Sequence, residues 1–300
     1  MSGNERTIPV FYCEQLLANS QSCSPSAGKP RQAVANWQSS GLPIALLPFL
    51  PVTVDDLGRS HDPDYVRGVL DSKLPNGFGN ELPEVARSLP WTTGSMLAAA
   101  REALLSGVAC APVSGFHHAH YDSGGGFCTF NGLTVTAVKL LADGLVQRVM
   151  ILDCDQHFGD GTDQIIERLS LARSVENASF GRWFHAPAHA SAYLARLEQI
   201  VARLSDFDLV LYQAGADVHV DDPLGGVLTT EQMVLRDQIV FEAAHRQEIP
   251  LAWNLAGGYQ DPIERVLALH LNTMRACVDA YCDSGAIRRP KFQPRQTHID

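Results

Sequence analysis

Four short stretches concentrate side chains that hold metals or move protons. The run Asp153-Cys154-Asp155-Gln156-His157-Phe158-Gly159-Asp160 places three carboxylates and an imidazole within eight residues. Carboxylates held this close repel, and a cation relieves the repulsion. Asp155 and His157 alternate by two, which projects both to one side of an extended backbone. Carboxylate oxygen plus imidazole nitrogen is a donor set for Zn²⁺ or Fe²⁺. Alone, the run also suits a solvated Asp/Gly turn. Asp217, in Gly215-Ala216-Asp217, would complete an Asp2His set with one position left for water, although an isolated aspartate there is more often a turn cap. His117 and His118 are adjacent, and both are pinned only if each finds a partner. Asp153 and Asp160 are suited to accept their N–H groups, which would set tautomer and basicity. The glycines at 124–126 let backbone approach a ligand closely. Tyr259 follows Gly257 and Gly258, a hydroxyl on a permissive loop that could donate to an oxyanion.

The elements that must position these groups are legible as alternating patterns. Short apolar runs at Ile8–Tyr12, Val108–Val113, Val149–Leu152, Asp208–Tyr212 and Pro250–Leu255 read as buried strands. Between them, Ser95–Leu105, Thr134–Asp143 and Tyr193–Leu204 read as helices. Thr229 and Gln232 form a capping box for a further helix that runs towards Glu248 and stops before Pro250. Nearly continuous apolar strands separated by helices predict a single α/β domain, a mainly parallel sheet flanked by helices. Ligands bind such sheets where strands end, and all four stretches follow strands. We expect the domain to span residues 1–287, with a loose tail at 288–300.

Composition narrows the function classes. The chain has 300 residues, with 33 acidic against 23 basic side chains and a formal charge of −10. That charge opposes nonspecific nucleic-acid binding and mildly favours cationic partners. The apolar run from Leu42 to Val52 is too short to span a bilayer and is broken by prolines, so no membrane span is expected. The first ten residues lack the apolar centre of a secretory signal. Seven cysteines without a CxxC pair predict free thiols and a cytoplasmic location.

The phrases GFHHAHYDSGGGFCTFN, LDCDQHFGDGT, QAGADVHVDDPLGG and LAGGY, in this order, resemble the histone deacetylase / acetylpolyamine amidohydrolase superfamily. SHDPDYV, NGFGN and LPWTTGSMLAAAREAL resemble the region that precedes its catalytic motifs, so the likeness covers roughly residues 25 to 275. The resemblance implies the arginase/deacetylase fold and a hydrolase that removes acyl groups from acyl-lysine side chains or acylated amines with a metal-activated water. Carried over residue by residue, Asp155, His157 and Asp217 become metal ligands. His117 and His118 become the histidine pair, backed by Asp153 and Asp160, and Tyr259 becomes the catalytic tyrosine. Phe127 becomes a wall of the acyl-lysine tunnel, and Gly126, Leu224 and Gly257 complete the expected substrate-contacting set. Zn²⁺ is the implied cofactor and Fe²⁺ fits the same donors. A structural K⁺ on oxygens of Asp153, Asp155 and His157 is a further option, as is a homo-oligomer. Implied partners are an acetylated lysine peptide or an acetylated amine.

Two departures from the family pattern stand out. The interval between His157 and Asp217 is short and lacks the Pro-Gly-Thr-Gly loop of the tunnel rim. Phe180, Trp183 and Phe184 lie in it, and we expect them to supply a different aromatic rim. Three rivals share some of these features: an acetylpolyamine or other small-molecule amidohydrolase, a two-manganese ureohydrolase, and a non-enzymatic acyl-lysine reader.

Overall fold

The computed structural model describes residues 6–282; the expected tail at 288–300 lies outside them. In chain order the strands are β1 (Ile8–Val10), β2 (Ile44–Leu46), β3 (Val108–Ala111), β4 (Val149–Asp153), β5 (Val175–Ser179), β6 (Leu209–Gly215) and β7 (Leu251–Ala256). The longer helices are α1 (Lys29–Ser39), α2 (Pro63–Leu70), α3 (Pro83–Ser106), α4 (Gly132–Ala142), α5 (Asp160–Arg168), α6 (Ala190–Val201), α7 (Thr230–Arg246) and α8 (Glu264–Tyr281). Among the described residues the strands form one sheet in the order β2-β1-β3-β7-β6-β4-β5. Every neighbouring pair is parallel.

Strands β3, β4, β6 and β7 are buried along their whole length, which requires apolar side chains on both faces. Met150, Leu152, Val210, Tyr212, Leu251 and Trp253 face one core with α1, α6, α7 and α8. Val149, Ile151, Leu209, Leu211 and Ala252 face the other with α2, α3 and α4. Alternation by two thus feeds two cores from one sheet. Because the strands run parallel, β3, β4, β6 and β7 all end on the same edge, and there the four stretches meet.

The five strands expected from sequence all form, and two edge strands, β2 and β5, join them. Thr229 caps α7 as expected: its side chain accepts from Gln232 N while the Gln232 side chain accepts from Thr229 N. The helix expected at Ser95–Leu105 is longer, starting at Pro83 and running through Pro90. Proline removes one helical N–H, and here the Pro90 carbonyl is used sideways, accepting from Val52 N. No helix among the described residues is long and apolar enough to cross a membrane. Cys110, Cys128, Cys154 and Cys277 are buried free thiols.

Candidate active site

Asp153 is the last residue of β4 and is fully buried. Its Oδ2 accepts from His117 Nδ1 (2.8 Å) and Ser179 Oγ (2.9 Å). Its Oδ1 accepts from Gln213 Nε2 (2.9 Å) and from Asp155 N (3.2 Å). A carboxylate surrounded by donors fixes whatever donates to it. His117 Nδ1 must carry its proton, because an ionised carboxylate only accepts, and its Nε2 is left facing the cleft, 3.6 Å from Asp155 Oδ1. His118 repeats the arrangement at half-burial, donating from Nδ1 to Asp160 Oδ1 at 2.7 Å. The rings of His117 and His118 lie 4.1 Å apart, centroid to centroid.

The two histidines differ electrostatically. Burial pulls His117 down, but the carboxylates of Asp153 and Asp155 outweigh it and push the imidazole up to about 9. Burial and the neighbouring His117 charge pull His118 below the ordinary histidine value, against the pull of Asp160. Neighbouring imidazoles therefore hold their protons with different strengths.

Asp155 and His157 lie on the turn after β4, and Asp217 two residues beyond β6. Asp155 and Asp217 are buried. One ligand atom from each of Asp155, His157 and Asp217 lies within 4.8 Å of the others, and this is one cluster. His157 Nδ1 is 3.0 Å from Asp217 Oδ2 and 3.3 Å from Asp155 Oδ1. Hydrogen bonds to those carboxylates push His157 up to about 11. Burial and the Asp155 charge raise Asp217. Two buried carboxylates converging on one imidazole form a negative pocket with O, N and O donors, which fits a single divalent transition ion. Asp153 and Asp160 lie outside that group and are engaged by the histidines.

Glycine makes the close packing feasible. Gly257 has φ +48°, and a Cβ there would sit 2.3 Å from Asp217 Cγ. Gly126 has φ +52°, and a Cβ there would sit 2.4 Å from His118 Cδ2. Both glycines border the cleft because no side chain fits between them and these groups.

The cleft holds about 160 Å³ and is lined by His117, His118, Asp155, His157, Asp217, Tyr259, Phe127, Gly126, Leu224 and Gly257. Every site residue expected from the sequence borders it, save Asp153 and Asp160, which stand behind the histidines. Phe127 has φ +64°, a left-handed conformation strained for a bulky side chain. It is held by Phe127 N donating to Gly77 O (3.0 Å), and its ring lies 5.8 Å from that of Tyr259 and 6.0 Å from that of Phe78. Burial and the surrounding carboxylates, Asp217 foremost, raise the Tyr259 phenol, so it stays a protonated donor.

One expectation is corrected. Phe180 is fully buried and stacks on Tyr193 at 4.5 Å, while Phe184 packs on the same tyrosine at 5.4 Å. Trp183 is partly exposed beneath Arg196. None of the three borders the cleft. The short interval spends its aromatics on the core under α6, and the aromatic wall comes from Phe127 and Tyr259.

Sequence reasoning missed several contributors. Gln213 bridges Asp153 and Phe116 N, and Asp222 accepts from Tyr259 N and Leu224 N. Buried Lys29, at the start of α1, donates from Nζ to Gly257 O. A lysine at a helix N-terminus opposes the helix dipole, and that local misfit was the available signal.

The histone deacetylase domain profile matches residues 29–180. An uncharacterised protein of Picosynechococcus is 31% identical over 246 residues, 74% of this chain and 81% of that protein. Histone deacetylase 2 of Arabidopsis thaliana is 29% identical over 194 residues; the match covers 58% of this chain and half of that protein. Among solved structures, an acetylpolyamine aminohydrolase from Burkholderia pseudomallei superposes with TM-score 0.70 at 18% identity, covering 91% of this chain and 99% of that one. A parallel sheet with the His–Asp pairs, the Asp-His-Asp cluster and Tyr259 along one edge, a domain match over half its length and a relative at this identity lead to one conclusion: the chain belongs to the histone deacetylase family of hydrolases.

Proposed function

We propose that this protein removes acetyl groups from acyl-lysine side chains or acylated amines, hydrolysing a linear amide at the cleft. The observation that carries the reading is the convergence of Asp155, His157 and Asp217 within 4.8 Å, beside two His–Asp pairs and a tyrosine hydroxyl. These three residues would hold one divalent ion, Zn²⁺ or Fe²⁺, which when bound polarises the acyl carbonyl and acidifies water.

The remaining steps belong to the chain's own groups. His118, the less basic imidazole, takes a proton from the attacking water as its oxygen bonds to the carbonyl carbon. Asp160 holds the ring in the tautomer that leaves Nε2 free for this. His117, kept protonated by Asp153, offers positive charge where the oxygens gain negative charge. Tyr259 donates to the former carbonyl oxygen. When the carbon–nitrogen bond breaks, His118 returns its proton to the amine, giving a carboxylic acid and a free amine. Phe127 and Leu224 contact the aliphatic stem that carries the amide.

The test is a panel of acetylated lysine peptides and acetylated di- and polyamines, assayed with Zn²⁺ and Fe²⁺ separately. Turnover of peptides supports the acyl-lysine reading, and turnover confined to acetylated amines assigns the small-amine activity. Absence of turnover across the panel with one ion bound per chain overturns hydrolysis and leaves an acyl-lysine reader.

A further inference from the structure

Lys29 takes no part in the steps above, yet it is the most unusual side chain near them. It is 1% exposed, and burial of an ammonium group is tolerated only where something compensates it. Its Nζ hydrogen bond goes to a main-chain oxygen, Gly257 O. Desolvation pulls the lysine down to about 8, and the charges of Asp217, Asp155 and Asp222 work against that pull. The carbonyl it holds belongs to a turn with two successive left-handed residues, Gly257 (φ +48°) and Gly258 (φ +89°). Such a turn has no preference of its own for this shape. Asp222 holds its other end, Oδ2 accepting from Tyr259 N at 2.8 Å.

We infer that Lys29, together with Asp222, is a positioning residue that clamps the Gly257–Tyr259 turn and so sets where the Tyr259 hydroxyl donates. The inference rests on the reading of Tyr259 as the oxyanion donor. A clamp that acts through Tyr259 has a particular signature. It lowers kcat rather than raising KM, and it has nothing left to do once the hydroxyl is gone.

The experiment is a double-mutant cycle on the full chain with Lys29→Met, Tyr259→Phe and the double variant. Metal content and steady-state kinetics are measured on each. Hydrogen exchange of the 251–262 peptide is measured on the metal-free proteins. Removing one oxyanion donor costs about 10²–10³-fold in kcat; misplacing it should cost about 10–100-fold, with KM within about twofold and metal retained. In the Tyr259→Phe background the same replacement should change kcat by less than about threefold, and exchange of the turn should rise.

Equal losses in both backgrounds, an effect confined to KM, or loss of metal would overturn the clamp. Lost metal would make Lys29 a charge balancer for the ligands. Wild-type kcat in Tyr259→Phe would remove the oxyanion reading itself, which the exchange measurement distinguishes because the turn would still loosen in Lys29→Met. If Lys29→Met does not fold, Asp222→Ala, which removes the acceptor of Tyr259 N, carries the same cycle, and unchanged kcat in that variant refutes the inference.

Discussion

Two adjacent histidines part ways because their surroundings differ: Asp153 and Asp155 together raise His117, while burial and the His117 charge outweigh Asp160 at His118. His117 answers to a buried aspartate with four donors around it, whereas His118 answers to Asp160, half-open to solvent. His118→Ala should reduce kcat at least as severely as Tyr259→Phe, which we expect to cost about 2.7–4 kcal/mol, or 10²–10³-fold. Hydroxamates should still bind the Tyr259→Phe protein, because the ligand cluster is intact. Asp155→Ala should abolish both metal retention and hydrolysis, read by metal analysis of the purified variant; full occupancy would end the ligand assignment. His61, from the SHDPDYV motif, makes a different prediction. It is buried, bonded from Nδ1 to His120 O, and accepts at Nε2 from Asn131 N. Burial pulls it down to about 4. The unfolded chain therefore binds this proton from about pH 6.5 downward while the folded chain does not, so its stability contribution is intact above that pH and is lost progressively towards pH 4. Denaturant midpoints at pH 7 and 5 should fall further apart in wild type than in His61→Gln.

At the scale of elements, strands were legible where the sequence is a continuous apolar run, as in the four fully buried central strands and in β1, and illegible where it is not. VMIL and LVLYQ are continuous apolar runs, but β5 is Val-Glu-Asn-Ala-Ser, and β2 is three residues in a proline-rich segment at the sheet edge. Those strands take their structure from a neighbour rather than from their own composition. The candidate site groups were legible because they cluster within a few residues at strand ends, whereas Gln213, Asp222 and Lys29 were not, each standing alone in the sequence with its role in a distant partner. Helix α7 shows this most clearly. Arg236 is fully buried and donates from Nη1 to Gly215 O at 2.6 Å, bracing the strand end that leads to Asp217. It also pairs with Asp237, which accepts from Thr273 Oγ1 at 2.6 Å. Arg236→Met should destabilise the fold by about 3–5 kcal/mol by leaving that carboxylate buried without its countercharge, measured by chemical denaturation. A loss under about 1 kcal/mol would mean that the hydroxyls of Tyr212 and Thr273, which both donate to Asp237, suffice.

At the scale of the whole molecule, the site stands on a sheet packed on both faces by apolar cores that include none of the candidate ligands. Two cores flank the sheet, so metal removal should leave the fold intact while relieving nothing of the repulsion between Asp155 and Asp217. At a hundredfold excess over its dissociation constant, an ion binding only the folded state adds about 2.7 kcal/mol, and the melting temperature should rise by several degrees between chelator and Zn²⁺. No rise would place the ligands too far from a common centre. The order of the strands also sets a sequence of events. Asp155 and Asp217 stand 62 positions apart and become neighbours only when β4 pairs with β6, in the register that sets Asp153 opposite Gln213. Contacts so distant along the chain form late, after the loop between them has closed. The three-residue cluster is therefore complete only after β4 has paired with β6, and tight capture of an ion would report that this part of the sheet has closed.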